Sequence, residues 1–283
     1  MRLLFILAQL LAVLAASAAG QATRSTSEAP PIQDNSFLVE EAYNQERGVV
    51  QHINTFTRAS DGGSWAFTFT QEWPLGGQRH QVGFTLPVEN APSAGGGGTG
   101  IGDVAINYRF QLAGITREGA SGRAAFAPRF TVLLPTGASR HGLGKGGAAF
   151  QVNLPLSVEL PAALVMHSNA GATYTPRAHD SRGDRAATLD YTLAQSIVWH
   201  VLPRFDLMLE AAWTRAQDVT GPGRTARSSE VLLAPGVRTA FDFASGLQVV
   251  PGLAFPVGVG PSRGEQNVFL YLSLEHPFAR GSP

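Results

Sequence analysis

The chain has 283 residues, 44% of them apolar and 15% charged, with 32 glycines, no cysteine, and 21 basic residues against 21 acidic ones. This apolar content excludes a disordered chain, and low charge with abundant glycine excludes a long charged helix or coiled coil. Balanced charge, with Lys145 the sole lysine, removes the attraction on which nucleic-acid binding depends, so no nucleic-acid partner is expected. The missing cysteines exclude thiolate metal sites, a cysteine nucleophile, disulfides and a lipidated cysteine.

Arg2 precedes an apolar run from Leu3 to Ala16, followed by Ser17, Ala18 and Ala19. This is the layout of a secretory signal, which predicts cleavage after Ala18 and loss of residues 1–18, with Ala22 as a second candidate. The run is shorter than the roughly 20 residues that a membrane helix needs. No later apolar run is long enough to span as a helix, which leaves a soluble exported chain or one that crosses a membrane as strands. Residues 19–47 are polar except at Phe37-Leu38-Val39-Glu40-Glu41-Ala42-Tyr43. There Leu38 and Ala42, or Val39 and Tyr43, lie four apart, the spacing of a short helix. Two readings stay open. The stretch is a periplasmic linker with a helical turn, or a plug in a barrel lumen carried by Phe37, Leu38, Glu40, Glu41 and Tyr43.

After Gly48 the period becomes two. Residues 103–112 place Val104, Ile106, Tyr108, Phe110 and Leu112 on one face and Asp103, Asn107, Arg109 and Gln111 on the other. That alternation is a strand. It recurs over 48–58, 64–73, 79–88, 103–112, 123–137, 148–160, 164–179, 185–201, 205–218, 229–243, 247–260 and 267–278, an even number of strands. Their length matches the roughly 9–11 residues of a tilted membrane strand better than the usual 5–6 of soluble sheets. Odd-numbered connections are mostly longer than even-numbered ones, with 113–122 the exception, an asymmetry of outer-membrane barrels. A soluble sandwich alternates too, but strand length, loop asymmetry and aromatic residues near strand ends (Trp65, Trp73, Tyr174, Trp199, Phe205, Trp213, Phe243 and Phe278) favour a membrane barrel. Pro128, Pro155, Pro235, Pro251 and Pro256 fall inside these strands, so bulges or shifted boundaries are expected there.

The fold class predicted is all-β, a closed antiparallel up-and-down transmembrane barrel of about 12 strands over residues 48–278, with a tail at 279–283. Apolar faces then meet lipid, and the opposite faces turn inward. The candidate lumen residues are Asp103, Arg109, Arg129, Glu159, His167, Arg177, Asp190, Glu210, Arg238 and Asp242, with Glu72, Asp206 and Glu275 sharing that parity. An inward location is enforced energetically, because Arg or Lys facing lipid at midplane costs about 2–4 kcal/mol. These mixed charges form either an ion-pair network that fills a narrow barrel or, through Arg109, Arg129 and Arg238, a solute path. The last strand puts Val268, Leu270, Leu272, Leu274, His276 and Phe278 on one face. An apolar strand ending in Phe resembles the signal read by the outer-membrane assembly machinery, although five residues follow Phe278.

Three segments in order, Ser36-Phe37-Leu38-Val39-Glu40-Glu41-Ala42-Tyr43-Asn44-Gln45-Glu46, Gly100-Ile101-Gly102-Asp103-Val104, and Leu134-Pro135-Thr136-Gly137 followed by Leu143-Gly144-Lys145-Gly146, together resemble the outer-membrane transporters grouped under the MetA pathway of phenol degradation. That resemblance covers most of the mature chain. It implies passage of small, often hydrophobic or aromatic compounds across the outer membrane.

Two enzyme-like signals compete. His167-Ser168-Asn169 resembles the His, Ser and Asn of outer-membrane phospholipase A, but adjacent residues point to opposite faces of a strand, which argues against catalysis. His141, His179, Asp180 and Asp184 match no metal cage, and the glycine runs 95–98 and 144–147 lack the Lys-Ser/Thr of a phosphate loop. The reading is a Gram-negative outer-membrane conduit in contact with lipid, a small-molecule solute and the assembly machinery. It is not an enzyme and has no metal or cofactor. A structural or adhesive barrel is the alternative and an outer-membrane lipid hydrolase the third.

Overall fold

A computed structural model describes residues 32–60, 63–91, 97–114 and 124–278. The expected signal peptide with its cleavage site, residues 19–31, most of the connection 113–122 and the tail 279–283 lie outside them. Alternating sequence becomes a barrel of 12 antiparallel strands. They are β1 (Val49–Ala59), β2 (Trp65–Pro74), β3 (His80–Ala91), β4 (Gly98–Ile101 and Val104–Phe110), β5 (Ala124–Phe126 and Arg129–Leu134) and β6 (Ala149–Asn153 and Leu156–Leu160). Then follow β7 (Leu164–His179), β8 (Arg185–Leu202), β9 (Phe205–Gly221), β10 (Arg224–Thr239 and Phe241–Asp242), β11 (Gln248–Ala254 and Val257–Gly258) and β12 (Asn267–Pro277). β1 pairs with β12 from Val49↔Pro277 to Ala59↔Asn267, which closes the cylinder. Closure gives every edge donor and acceptor a partner, the condition for surviving in hydrocarbon. The end that carries the start of β1 and the end of β12 is called proximal below, and the opposite end distal.

The direction of the two faces is that of a membrane barrel. Ile106, Leu193, Leu209 and Leu270 are 47–55% exposed, whereas their strand neighbours Arg109, Glu210 and Arg238 are 0–3% exposed. In water such sorting would turn a protein inside out, and in a bilayer it places the acyl chains against leucine. Of the aromatic residues near strand ends, Tyr174, Trp199, Phe243 and Phe278 are exposed on this outer surface.

The prolines interrupt the ladder where their missing N–H would be needed. β5 breaks at Pro128, β6 at Pro155 and β11 at Pro256. Pro235 and Pro251 stay inside paired segments, opposite Leu209 and Leu272. Two connections depart from expectation: β3 and β4 continue pairing to Ala91↔Gly98 inside the expected loop 89–102, and β9 and β10 extend likewise. Residues 219–228 were expected as a long loop, but β9 and β10 continue pairing to Gly221↔Arg224 and turn through Pro222 and Gly223, the latter at φ 65°. Beyond the bilayer both faces of a hairpin are wet, so its side chains carry no apolar alternation for a sequence reading to detect.

The turn from β6 to β7 stores strain. Ala162 and Ala163 have φ 62° and 56°, in the left-handed region where a Cβ is disfavoured. Ala163→Gly is therefore expected to stabilise the barrel by about 0.5–1 kcal/mol, a net of relieved strain against the greater freedom of glycine in the unfolded chain. Denaturant unfolding in detergent checks this, and a destabilised variant would refute it.

Candidate functional site: the lumen and its N-terminal segment

The segment 32–47 forms no helix, so the expected helical turn is replaced by extended and bent backbone. The reason lies in its partners. Its backbone N–H groups are taken by side chains of the barrel wall instead of by carbonyls four residues back. Glu210 on β9 accepts from the N–H of Phe37 at 2.9 Å and of Leu38 at 2.7 Å. Asn169 on β7 accepts from Glu40 N–H at 2.8 Å and donates to Glu40 O at 2.8 Å. Ser157 on β6 takes Ala42 N–H at 2.8 Å, Gln111 takes Asn44 N–H at 2.9 Å, and Gln81 on β3 takes Gln45 N–H at 2.7 Å. From Asp34, held by Tyr271 on β12, the contacts pass round the inner wall through β8 and β9 and then down through β7, β6 and the end of β4 to β3 at Gln45. The partners lie in the proximal half of each strand, so the segment makes one circuit of the lumen there.

Two guanidinium groups bind its carbonyls. Arg238, 2% exposed, donates to Asp206 Oδ2 at 2.7 Å, Asp34 O at 2.7 Å and Asn35 O at 2.9 Å. Asp206 also meets His200 Nδ1 at 2.7 Å. Arg109 donates to Asn44 Oδ1 at 2.9 Å, Glu41 O at 3.1 Å and Tyr43 O at 2.8 Å, with Glu72 at 3.6 Å. The planar fork of arginine suits this task because one side chain serves several carbonyls at once. Arg129 pairs with Glu40 at 2.8 Å. His167 lies 2.7 Å from Ser157 Oγ, and its ring meets Tyr43 edge-on at 6.4 Å.

Phe37 supplies the apolar anchor. Its ring lies 5.6 Å from Phe269 and 5.7 Å from Tyr271, over Gly236 on β10 and Gly252 on β11. A Cβ at either glycine would overlap the ring, so the slot exists because both positions are glycine. Gly252→Ala is expected to displace Phe37 and raise conductance, measured in planar bilayers, and an unaltered trace would count against the slot.

Glu41 is buried, and its Oε2 has no hydrogen-bond partner. Burial first, and then the charges of Asp34 and Glu275, push its carboxyl up to about 8 against the pull of Arg238 and Arg109. A docked segment therefore holds a proton that a released one, with an ordinary carboxyl near 4.5, gives up. Docking is tightest below pH 4.5 and weakens as pH rises through about 8. Conductance measured between pH 5 and pH 8 is expected to rise, and Glu41→Gln to flatten that rise. An identical pH profile in the variant would refute it.

Above the segment, much of the wall from β1 to β7 is lined by neutral groups in hydrogen-bonded pairs, with Glu89 of the same inward parity at the distal end and Arg129 donating to Gln151. Thr55 meets Thr68 at 2.6 Å, Thr70 meets Thr85 at 2.8 Å, Thr131 donates to Asn107 at 2.7 Å, and Gln151 donates to Thr173 at 2.9 Å. Several predicted lumen residues do not touch the segment. Asp103 accepts from Gly137 N–H at 3.0 Å and Lys145 N–H at 2.8 Å, anchoring the distal loop 135–148. Asp190 lines the distal rim, accepting from Gln217 N–H at 2.7 Å with Lys145 Nζ at 3.7 Å. Arg177 is exposed because a register shift between Thr175 and Ala178 hands the inward position to Ala178. Glu159 keeps inward parity but is exposed at the proximal mouth. Asp242 is exposed after β10 breaks at Ala240, and pairs with Arg204 and Gln248.

Sequence reasoning missed most of the amide and hydroxyl groups that hold the segment, including Gln51, Gln81, Ser157 and Asn169. The available signal was polar residues of inward parity at one depth, because each must meet a backbone donor. His167 and Ser168 face opposite sides, with Ser168 donating outward to Gln195 at 2.9 Å. Asp180 is held by Arg182 and by the backbone N–H of Asp184. Among the described residues no cluster of three or more His, Asp or Glu is arranged to hold a metal ion.

A closed cylinder with leucine outside, charge inside and its own leading segment in the lumen is a transmembrane β-barrel of the outer-membrane type. The chain belongs to the family described as "Putative MetA-pathway of phenol degradation", which matches residues 27–274. In fold it is similar to the COG4313 outer membrane channel from Pseudomonas putida F1, at TM-score 0.58 and 13% identity over 90% of this chain and 99% of that one. It is also similar to the NanC porin, at TM-score 0.50 and 9% identity over 78% of this chain and 98% of that one. No curated relative matches it.

Proposed function

We propose that the chain is an outer-membrane conduit for small, uncharged, often hydrophobic or aromatic compounds, closed on the periplasmic side by residues 32–47. The observation that carries this reading is that the segment is additional to a barrel already closed by β1 and β12. A barrel that needed only a filled interior would be served by its own inward side chains. Here wall and segment meet instead through discrete hydrogen bonds that can be exchanged for water when the segment moves. The neutral threonine and amide lining above it favours solutes without charge, and the family's description favours phenolic cargo. Proximal then corresponds to periplasmic, and the apolar belt to outer-membrane lipid. With His167 buried inside and Ser168 outside, that pair does not share a face for lipid hydrolysis, and Ser157, which does meet His167, is buried in the lumen away from lipid and already accepts the N–H of Ala42.

Proteoliposomes holding the refolded chain test this directly. Phenol-sized neutral aromatics are expected to enter faster than sugars of equal or larger size. Failure of every small solute to permeate would instead favour a structural or adhesive barrel.

A further inference from the structure

Two histidines outside the lumen face each other across the seam where the barrel closes. His52 on β1 and His276 on β12 both point outward near the proximal end, with their Nε2 atoms 3.2 Å apart and their rings stacked at 5.3 Å. His52 also stacks on Phe69 at 6.1 Å. Nδ1 of His276 lies 3.2 Å from the carbonyl oxygen of Pro277. A ring nitrogen can only donate to a carbonyl, so this contact puts the proton on Nδ1 and leaves Nε2 of His276 as a free lone pair. A backbone carbonyl fixing one ring nitrogen while the other points at a shared centre is the arrangement of metal-ligating histidine. The separation agrees as well: two nitrogens each about 2.0–2.1 Å from a tetrahedral zinc lie roughly 3.3 Å apart. Gln71 on β2 sits in register opposite His52 and adds an amide on the same face. Both rings are partly exposed near the proximal end of the outer face.

We propose that His52 and His276 form a divalent transition-metal site that staples the first strand to the last, with water and Gln71 completing the coordination. Imidazole nitrogen selects Zn²⁺, Ni²⁺ or Cu²⁺ over Mg²⁺ or Ca²⁺. Without metal, His52 donates its Nε2 proton to His276. With metal, that proton moves to Nδ1 of His52, so both rings stay neutral and neither loses a proton on balance. The staple joins residues almost at opposite ends of the mature chain, at the one seam whose strands are not linked by a turn.

The test uses the mature chain refolded in detergent without a histidine tag. Zn²⁺ or Ni²⁺ at about 100 times the dissociation constant is expected to raise the temperature at which the folded band converts to the unfolded one on a denaturing gel by about 5 °C or more, reversed by EDTA. His52→Gln or His276→Gln should each abolish the rise, whereas joint replacement of His141 and His179 by Gln should leave it. Electron paramagnetic resonance with Cu²⁺ is expected to show coupling to two imidazole nitrogens, falling to one in either seam variant. A rise or a spectrum that survives both seam substitutions overturns the site, as does absence of any metal-dependent shift in the unmodified chain.

Discussion

Excision of residues 32–46 is expected to raise single-channel conductance by about tenfold, since an unobstructed interior of twelve strands lies between the packed eight-stranded barrel and the open sixteen-stranded pore. The deletion removes Phe37 from its glycine slot, and also the backbone that Glu210, Asn169, Ser157, Gln111 and Gln81 now hold. It leaves every strand pairing intact, including the β1–β12 seam. Gel mobility of the deleted chain should therefore remain heat-modifiable, the sign of a closed barrel. Unchanged conductance from a properly folded deletion protein would mean that the lumen is blocked elsewhere and would remove the closure role.

Arg238→Ala is expected to release the segment's leading end without unfolding the barrel. The guanidinium binds Asp206 and the carbonyls of Asp34 and Asn35 in a fully buried site. Breaking one partner of such a buried pair costs about 3–5 kcal/mol, because the other charge is left uncompensated. Moving the segment so that water reaches Asp206 relieves that cost, while unfolding twelve strands would require far more. About 3 kcal/mol is a shift of roughly 100-fold in the ratio of docked to released segment. The readouts are longer open times in single-channel records and faster proteolysis within 32–46. Arg238→Lys should restore docking only in part, because a point-like ammonium cannot span carboxylate and carbonyls as a planar fork does. Wild-type protease resistance in Arg238→Ala would show that the anchor lies elsewhere.

Much of the barrel is legible in the alternation. Strands 103–112 and 267–278 reveal their faces because a backbone with period two gives each side chain one of only two directions. Arg109, His167, Glu210 and Arg238 are thereby identified as inward residues before any pairing is known. The same rule misplaced Arg177, since a bulge adds one residue and reverses parity beyond it; the signal was Pro176, a proline inside the strand 164–179 that alternation alone passes over. It also misread 219–228, where both faces meet water and alternation loses its cause.

What the residues alone decide is therefore local and periodic: which positions share a face, where proline interrupts a ladder, and that the segment 37–43 carries apolar and acidic groups together. Tertiary structure alone decides how those groups are used. The helix that the spacing of 37–43 allows is not formed, because Glu210, Asn169, Ser157 and Gln81, distant in sequence, offer its backbone better-placed acceptors than its own carbonyls. Likewise His52 and His276 become neighbours only when the cylinder closes. Closure is a property of all twelve strands, through their twist and stagger, and is not written in any one of them.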